Sequence, residues 1–414
     1  MADGAIGPGG IARAEMASPL GHPSVDEDAR HSGPARGLLP SWLTRPLVSN
    51  RRNFHGIDLL RGISALIILV WHYNHFGQGG GSISIPASAI DHVGLLRFDW
   101  WRHYGPWAIM MFWTISGFVF MNVYAGHQAG ARNFFVNRFA RLYPLHFTTL
   151  IVIAIIQWIS SASFGHWMVT PYNDLYHFVL QLFFASEWGL QQGRSFNGPI
   201  WSVSAEALIY VAFFLFIRMR RVNLASTFAM WAMFVVLSKI APKNPILLCG
   251  TFFFGGACLY ALYLVCDGRK RPILMVALLG IFLAAAAAGL AFGERLHLPL
   301  TFWLLTLFGS LLTAIAISDE LRLGPLYRKF HVIGDITYSV YLCQEPLQLL
   351  FLLGASFALW PVMAVKSDLF FTGYIVLTCV VSWLSFRYLE RPAQRWLRAR
   401  LLHRKRDMPL ISAP

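Results

Sequence analysis

The chain has 414 residues, of which 56% are hydrophobic and 13% charged, whereas soluble domains carry roughly 25% charged residues. This composition excludes an ordinary soluble domain and predicts an all-α polytopic membrane protein, whose 15 Trp, 14 Tyr and 33 Phe residues are typical of aromatic belts. A net charge of +14 would suggest a nucleic-acid partner in a soluble protein, but here the basic residues lie in short loops and at the chain ends, so no such partner is expected. The five cysteines show no ligand spacing, so neither disulfides nor a metal site is predicted.

The N-terminal region is rich in Gly, Pro, Ala and charge, and it has no apolar stretch long enough for a signal peptide. We expect residues 1–50 to form a disordered cytoplasmic tail. Arg45, Arg51 and Arg52 precede the first apolar segment and would hold that end of it in the cytoplasm.

Ten apolar segments follow, each near the ~20 residues that a helix needs to cross a bilayer. We predict a membrane domain over residues 54–395 with both termini cytoplasmic, because this arrangement keeps the arginine-rich loops inside. A basic cytoplasmic tail, 396–414, is expected to lie on the lipid headgroups. The predicted spans are 57–76, 107–124, 142–160, 200–217, 224–240, 246–266, 273–292, 300–317, 332–353 and 369–389.

Residues 162–199 do not fit this scheme as a further span. The apolar run 175–185 has only eleven residues, which is too short to cross as a helix. Counting it as a span would also place the following arginines outside. We therefore predict an outer-face or re-entrant segment.

The first span carries three ionisable residues, Asp58, Arg61 and His72. Arg61 and His72 are eleven residues apart, so in a helix they share one face and lie ~16 Å apart along the axis. Charged groups inside a membrane are costly and are functional candidates by default, and histidine suits proton transfer near neutral pH. The competing interpretation is that Asp58 and Arg61 reach the headgroups and that His72 is a packed histidine with its hydrogen bonds satisfied.

Arg138 and Arg141 stand at i and i+3, on one face of a helix start. Two guanidinium groups at the membrane surface match phosphate oxygens, so a phosphate-bearing donor is a candidate ligand. The alternative is a positive-inside anchor or a contact with lipid headgroups.

The fourth span begins with Pro199, Trp201 and Ser204 and carries Glu206 about two turns in. A buried carboxylate of this kind pairs with a base or with an arginine. We expect Glu206 and His72 to lie in the same half of the membrane, where they can meet. A structural ion pair is the alternative.

The ninth span contains the polar residues Asp335, Tyr338, Tyr341, Gln344 and Glu345. Such residues either hold helices together through hydrogen bonds or line a substrate path. The first role is the more common one.

Taken together, these residues resemble the integral-membrane acyltransferase-3 family, which includes bacterial polysaccharide O-acetyltransferases and some antibiotic acylases. One departure is Gln344, because the family often has a histidine there; a proton-transfer role proposed for that histidine does not apply to this chain. The matching residues, in chain order, are Asp58, Arg61, Gly62 and His72; Arg138 and Arg141; Pro199, Trp201, Ser202, Ser204 and Glu206; the stretch 334–342; and Glu390, Arg391 and Pro392.

The resemblance implies transfer of an acyl group, acetyl in the simplest case, from cytoplasmic acyl-CoA to a hydroxyl of a surface glycan or glycolipid at the inner (plasma) membrane. Acyl-CoA would be a co-substrate, with no tightly bound cofactor and no metal. The implied catalytic residues are His72 as the base, Glu206 or Asp58 as its orienter, and Arg61 for the donor or an oxyanion.

Further roles implied by the resemblance concern binding. Arg138 and Arg141 would hold CoA phosphates. The remaining candidates are expected to bind substrate: Trp201, Ser204, Tyr338 and Gln344. The pantetheine arm is expected to reach His72 through the bundle, rather than the acyl group being relayed on the histidine.

Two other functions stay open at this point. One is acylation of a small molecule such as a macrolide. The other belongs to a different class, a polytopic transporter or flippase, which would also suit ten spans with buried charges. Against it, the sequence shows no inverted repeat and no matching pair of broken spans.

Overall fold

The structure is a computed structural model, and among its described residues every regular element is helical. These residues are 40–78, 85, 90–127, 130–219, 222–266, 271–296, 299–321 and 323–402. Most of the predicted N-terminal tail, and the end of the C-terminal tail, lie outside them.

Eleven of the helices are numbered here in chain order: α1 His55–His72, α2 Trp107–Tyr124, α3 Ala131–Phe164, α4 Ile200–Ile217, α5 Leu224–Ile240, α6 Pro245–Val265, α7 Arg271–Leu296, α8 Leu300–Glu320, α9 Thr337–Ser356, α10 Asp368–Ser385 and α11 Arg391–Leu402. Short α-helices are Ser41–Thr44, Asp99–Tyr104, Leu175–Leu182, Gly324–Arg328 and His331–Asp335. The 3-10 turns are Tyr73–Gln78, Gly94–Arg97 and Val362–Lys366, and a π turn, Phe386–Glu390, joins α10 to α11.

The prediction of an all-α multi-pass membrane protein is confirmed. In the described part of the chain, seven helical stretches are long and apolar enough to cross a membrane. Two further apolar helices are shorter, α5 and the segment Met275–Gly289 of α7. Each predicted span coincides with helix, but ten crossings and two cytoplasmic termini stay predictions.

Helix α6 lies at the centre of the largest apolar core and packs directly on α2. The backbones touch at Gly117 and Gly256, where an added Cβ would come within 1.7 Å of the Phe253 carbonyl oxygen and 1.8 Å of the Thr114 carbonyl oxygen, respectively. Only glycine permits this approach, which is how small residues join helices inside membranes. Helix α2, which lines the site described below, is thereby held directly against α6.

A second close contact fixes the first half of α1. A Cβ at Gly62 would lie 2.3 Å from Ile333, and a Cβ at Gly334 would lie 2.5 Å from the Cβ of Asp58. The two glycines of the family pattern therefore let α1 press against the short helix His331–Asp335. This contact places Arg61 beside the start of α9.

Three predicted boundaries differ from the structure. Helix α3 begins at Ala131, well before the predicted span at 142, because no glycine or proline interrupts the chain until Pro144. The predicted ninth span is divided at Ile336 into a short helix and α9. Leu47 and Ser49, assigned to the disordered tail, are buried, and Ser49 bonds to Asn122 and Tyr260.

After α3 ends at Phe164, the segment 162–199 contains one further helix, Leu175–Leu182, whose eight residues are too few to cross a membrane, as expected. The remainder is irregular backbone held by buried side chains. The amide of Gln181 donates to the carbonyl of Ser195 (2.8 Å), and the Ser204 hydroxyl donates to the carbonyl of Phe184 (2.6 Å). The side of the membrane on which it lies stays a prediction.

Candidate active site

A cavity of about 320 Å³ lies among α1, α2, α3, α4, α9 and α11. Its polar lining combines four arginines with two carboxylates and several hydroxyls. These residues are Arg61, Arg138, Arg141, Arg398, Glu206, Asp335, Ser116, Ser202, Thr337, Tyr210, Tyr338, Tyr341 and Gln394. The structure thus brings together residues from four sequence motifs that are far apart in the chain.

The two arginines of α3 are held in different ways. The Arg138 guanidinium lies over the ring of Phe120, 4.5 Å from its centroid. Arg141 pairs with the buried carboxylate of Glu390 (3.3 Å), which also accepts a hydrogen bond from Ser339 (2.7 Å). Glu390 is thereby the partner that positions Arg141.

Glu206 occupies the cavity wall beside the hydroxyls of Ser116 and Tyr210, with Arg61 and Arg138 close enough to act on its charge. Its Oε1 atom is buried and has no hydrogen-bond partner among the described residues. A carboxylate in this position offsets part of the positive charge of the arginines.

Arg61 lies at the boundary between two cavities. Its guanidinium is 4.0 Å from the carboxylate of Asp58, one turn earlier on α1. Both residues also line a second cavity of about 550 Å³. Asp58 therefore lies next to the four-arginine cavity rather than within it.

On α9, Tyr338 and Tyr341 mark two levels of the cavity. The Tyr338 hydroxyl donates to the carbonyl of Leu142 (2.8 Å), adjacent to Arg141. The Tyr341 hydroxyl donates to the carbonyl of Pro199 (2.8 Å) and lies 2.7 Å from the hydroxyl of Ser202. The Ser202–Tyr341 pair closes the end of the cavity away from the arginines of α3.

His72 lies behind this pair and is 3% exposed. Its ring centroid is 6.4 Å from that of Tyr341, and His72 does not line the cavity itself. Gln344 approaches His72 Nδ1 at 2.6 Å through its amide nitrogen, which also donates to the carbonyl of Tyr341 (3.0 Å). The partner of Nδ1 in this structure is therefore Gln344, a different residue from the Glu206 or Asp58 expected to orient the imidazole.

A second histidine lies beside the first. The ring centroids of His72 and His75 are 4.8 Å apart, and His75 Nδ1 lies 3.4 Å from the carboxylate of Glu345. That carboxylate is fully buried. The 3-10 turn after α1 carries His75 into this position.

Two candidate substrate-binding residues have structural contacts. Ser204 is completely buried, and its hydroxyl also accepts from the backbone N–H of Glu187 (3.0 Å), so it holds the 183–190 loop against α4. Trp201 packs edge-on against Trp113, and Arg194 lies over its ring at 4.6 Å. Neither Ser204 nor Trp201 lines the four-arginine cavity.

Sequence reasoning did not single out Tyr210, Ser116 or Arg398 for this site. Tyr210 lies one turn after Glu206 on α4, and Ser116 lies on the facing helix α2. Nothing in the sequence spacing of these two residues distinguishes them from core residues. Arg398 follows the last predicted span, where it resembled the other basic residues of the tail.

A family model described as an acyltransferase domain, acyltransferase-3, matches residues 54–387, which include all of α1 to α10. Comparisons with curated proteins and with solved structures gave no match. Because the family match covers most of the 414 residues and includes the histidine, the arginine pair and the buried carboxylate, the protein belongs to the acyltransferase-3 family and is a multi-pass membrane acyltransferase.

Proposed function

We propose that this protein transfers an acyl group, acetyl in the simplest case, from acyl-CoA to a hydroxyl of a surface glycan or glycolipid at the plasma membrane. The observation that supports this most directly is the cavity, whose lining runs from Arg138 and Arg141 to the Ser202–Tyr341 pair in front of His72. Phosphate-binding groups at one end and a histidine beyond the other suit a long, charged donor whose reactive thioester is far from its phosphates.

The dimensions fit this donor. Tyr338 lies at the level of Arg141, and Gln344, six residues later on α9, contacts His72. Six residues of helix rise about 9 Å. An extended pantetheine arm covers that distance, so the thioester can reach the histidine without leaving the bundle.

The transfer itself needs a base near the acceptor hydroxyl. The hydroxyl oxygen attacks the thioester carbonyl, its proton passes to His72, and the carbon–sulfur bond breaks. The proton then moves to the departing CoA sulfur, which leaves as the thiol. Arg61 and the hydroxyls of the Ser202–Tyr341 pair are the cavity groups available to stabilise negative charge on the carbonyl oxygen.

Gln344 determines which imidazole nitrogen can act as this base. When the amide nitrogen of Gln344 donates to His72 Nδ1, Nδ1 is the acceptor and the ring proton resides on Nε2. A free lone pair on Nε2 requires the amide to turn over, so that Oε1, which has no hydrogen-bond partner among the described residues, accepts from Nδ1–H. The proposal therefore requires a rotated Gln344 amide in the reactive state.

Release of CoA thiol from acyl-CoA tests the function in purified, lipid-reconstituted protein. We expect thiol release that depends on both an acceptor and His72, and covalent acylation of the acceptor detected by mass spectrometry. A transporter or flippase would release no thiol. Comparing the glycans and glycolipids of a deletion strain with those of its parent identifies the acceptor, and unchanged glycans together with an acylated small molecule would point to the alternative acceptor class.

A further inference from the structure

Helix α11 contributes to the cavity although it lies beyond the matched family region, which ends at residue 387. It packs along α3, the helix that carries Arg138 and Arg141. From α11, Gln394 and Arg398 reach the cavity lining. The other arginines of α11 that the structure describes in full are exposed: Arg391, Arg395 and Arg400.

Arg398 brings a third positive charge to the arginine pair of α3. Arg138 and Arg141 are both close enough to interact electrostatically with its guanidinium. Bringing like charges together under partial burial costs free energy unless an anion lies among them.

The carboxylates of the site do not supply that anion for Arg398. Glu390 pairs with Arg141, and Glu206 lies close to Arg61 and Arg138. Among the described residues, neither Glu206 nor Asp335, the two carboxylates that line the cavity, forms an ion pair with Arg398. Within the described part of the chain, Arg398 makes no ion pair, and the Nε atoms of Arg138 and Arg398 are both buried without a hydrogen-bond partner. Two unsatisfied guanidinium N–H groups on one cavity are the donors that a phosphate group satisfies.

We propose that Arg398 binds a phosphate group of the CoA donor together with Arg138 and Arg141, so that α11 completes the donor site. This deepens the function proposed above and rests on it for the identity of the donor. The arginine is a binding residue, and the helix that carries it covers the phosphate end of the cavity.

The test is CoA binding to the purified full-length protein, measured by calorimetry without any acceptor. Arg398→Ala should weaken CoA binding by about tenfold or more, because a hydrogen bond to a charged group is lost. Arg395→Ala and Arg400→Ala are matched controls, since they remove the same charge from exposed positions of the same helix. Both should bind CoA within about twofold of the parent, as expected for exposed charges.

Arg398→Lys separates loss of charge from loss of geometry. It should bind CoA with an affinity between those of the parent and Arg398→Ala, because an ammonium keeps the charge and loses the planar fork. If Arg398→Ala binds CoA like the Arg395→Ala control, the proposal is overturned, while weakened binding by Arg138→Ala would still support the donor site. If the parent protein itself binds no CoA, the proposed donor is wrong as well.

A lipid phosphate has the same chemistry and is distinguished by the membrane composition. The binding series is repeated in nanodiscs of phosphatidylcholine alone and in nanodiscs that also contain anionic phosphatidylglycerol. A loss of CoA affinity in Arg398→Ala that is measured in both kinds of nanodisc supports binding of the donor. A loss confined to the anionic membranes would assign Arg398 to lipid headgroups and overturn the proposal.

Discussion

The four-arginine cavity and the cluster around His72 are adjacent, but they differ in charge and in open space. The cavity holds Arg61, Arg138, Arg141 and Arg398 against only two lining carboxylates, Glu206 and Asp335, and keeps open space between them. The histidine cluster is closed: His72 is 3% exposed, and Gln344 and Gln348 are fully buried and bonded to its ring and its backbone carbonyl. The first region suits the anionic donor proposed above, whereas the second holds one imidazole in place.

In the proposed function, this difference separates donor binding from proton transfer. The Ser202–Tyr341 pair lies between the two regions, so a thioester in the cavity meets Tyr341 before it meets His72. Variants on the two sides should therefore alter different kinetic constants. This expectation can be tested, starting with the largest effect.

Replacing His72 with alanine should reduce kcat by about 10²- to 10⁴-fold, the usual contribution of a general base. CoA binding should stay at the parent level, because the proposed phosphate contacts lie at the other end of the cavity. The measurements are thiol release, normalised to protein in the membrane, and calorimetric CoA binding. His103→Ala, which alters an exposed histidine, is the control and should be fully active. Near-parent turnover by His72→Ala would show that the base lies elsewhere.

Replacing the α3 arginines should raise the donor KM and leave the acceptor KM unchanged. Arg138→Ala should raise it by about tenfold to a hundredfold, since a charge-assisted hydrogen bond is lost. Arg141→Ala alone would strand the buried carboxylate of Glu390, so the informative variant is Arg141→Ala combined with Glu390→Gln. Glu390→Gln by itself is the matched control. A donor KM equal to that of the parent in all of these variants would instead assign Arg138 and Arg141 the role of lipid anchors.

Gln344→Met keeps the volume of the side chain and removes its hydrogen bonds. We expect kcat to fall by about tenfold to a hundredfold with an unchanged donor KM, because the imidazole loses the group that orients it. Gln344→Glu should retain more activity than Gln344→Met, since a carboxylate accepts from Nδ1–H and leaves Nε2 free as the base. Equal activity of the two variants would contradict a role in selecting the tautomer.

His75→Ala should have a smaller effect, a loss of about tenfold or less in kcat, consistent with one hydrogen bond near the base. Its contacts with His72 and Glu345 make His75 unsuitable as an inactive control. In His75→Ala, the buried carboxylate of Glu345 loses its partner. Adding Glu345→Gln removes this carboxylate and should raise the thermal stability above that of His75→Ala. A loss as large as that of His72→Ala would move His75 into the catalytic role.

The smallest effect on activity is expected for a cysteine at position 192, which lies on the exposed part of the 183–199 loop. In a cysteine-free background, a membrane-impermeant maleimide should label it only from outside, and a cysteine at Arg395 only from inside. Position 195 is unsuitable because Ser195 is buried at 3% exposure. Labelling of position 192 only from the cytoplasm would reverse the predicted sidedness of the two regions.

The sequence by itself determined the class of the molecule, because long apolar segments in a chain with 13% charged residues have one stable solution, helices in a membrane. It also singled out Arg61, His72, Arg138, Arg141 and Glu206 as candidate site residues, since ionisable residues stand out against an apolar background. The ordered motifs led to the family that the match over residues 54–387 confirms. These signals are local, and each is visible within a few residues of chain.

Only the tertiary structure decided which of these residues meet. Gln344 lies 272 positions after His72 and takes the place expected for Glu206, while Arg398 joins Arg138 from a helix that looked like a basic tail. Helix rotation and the depth of each side chain depend on close contacts such as those at Gly62 and Gly117, which involve distant segments. Periodicity within one segment carries no information about a partner segment, so contacts between helices had to be observed.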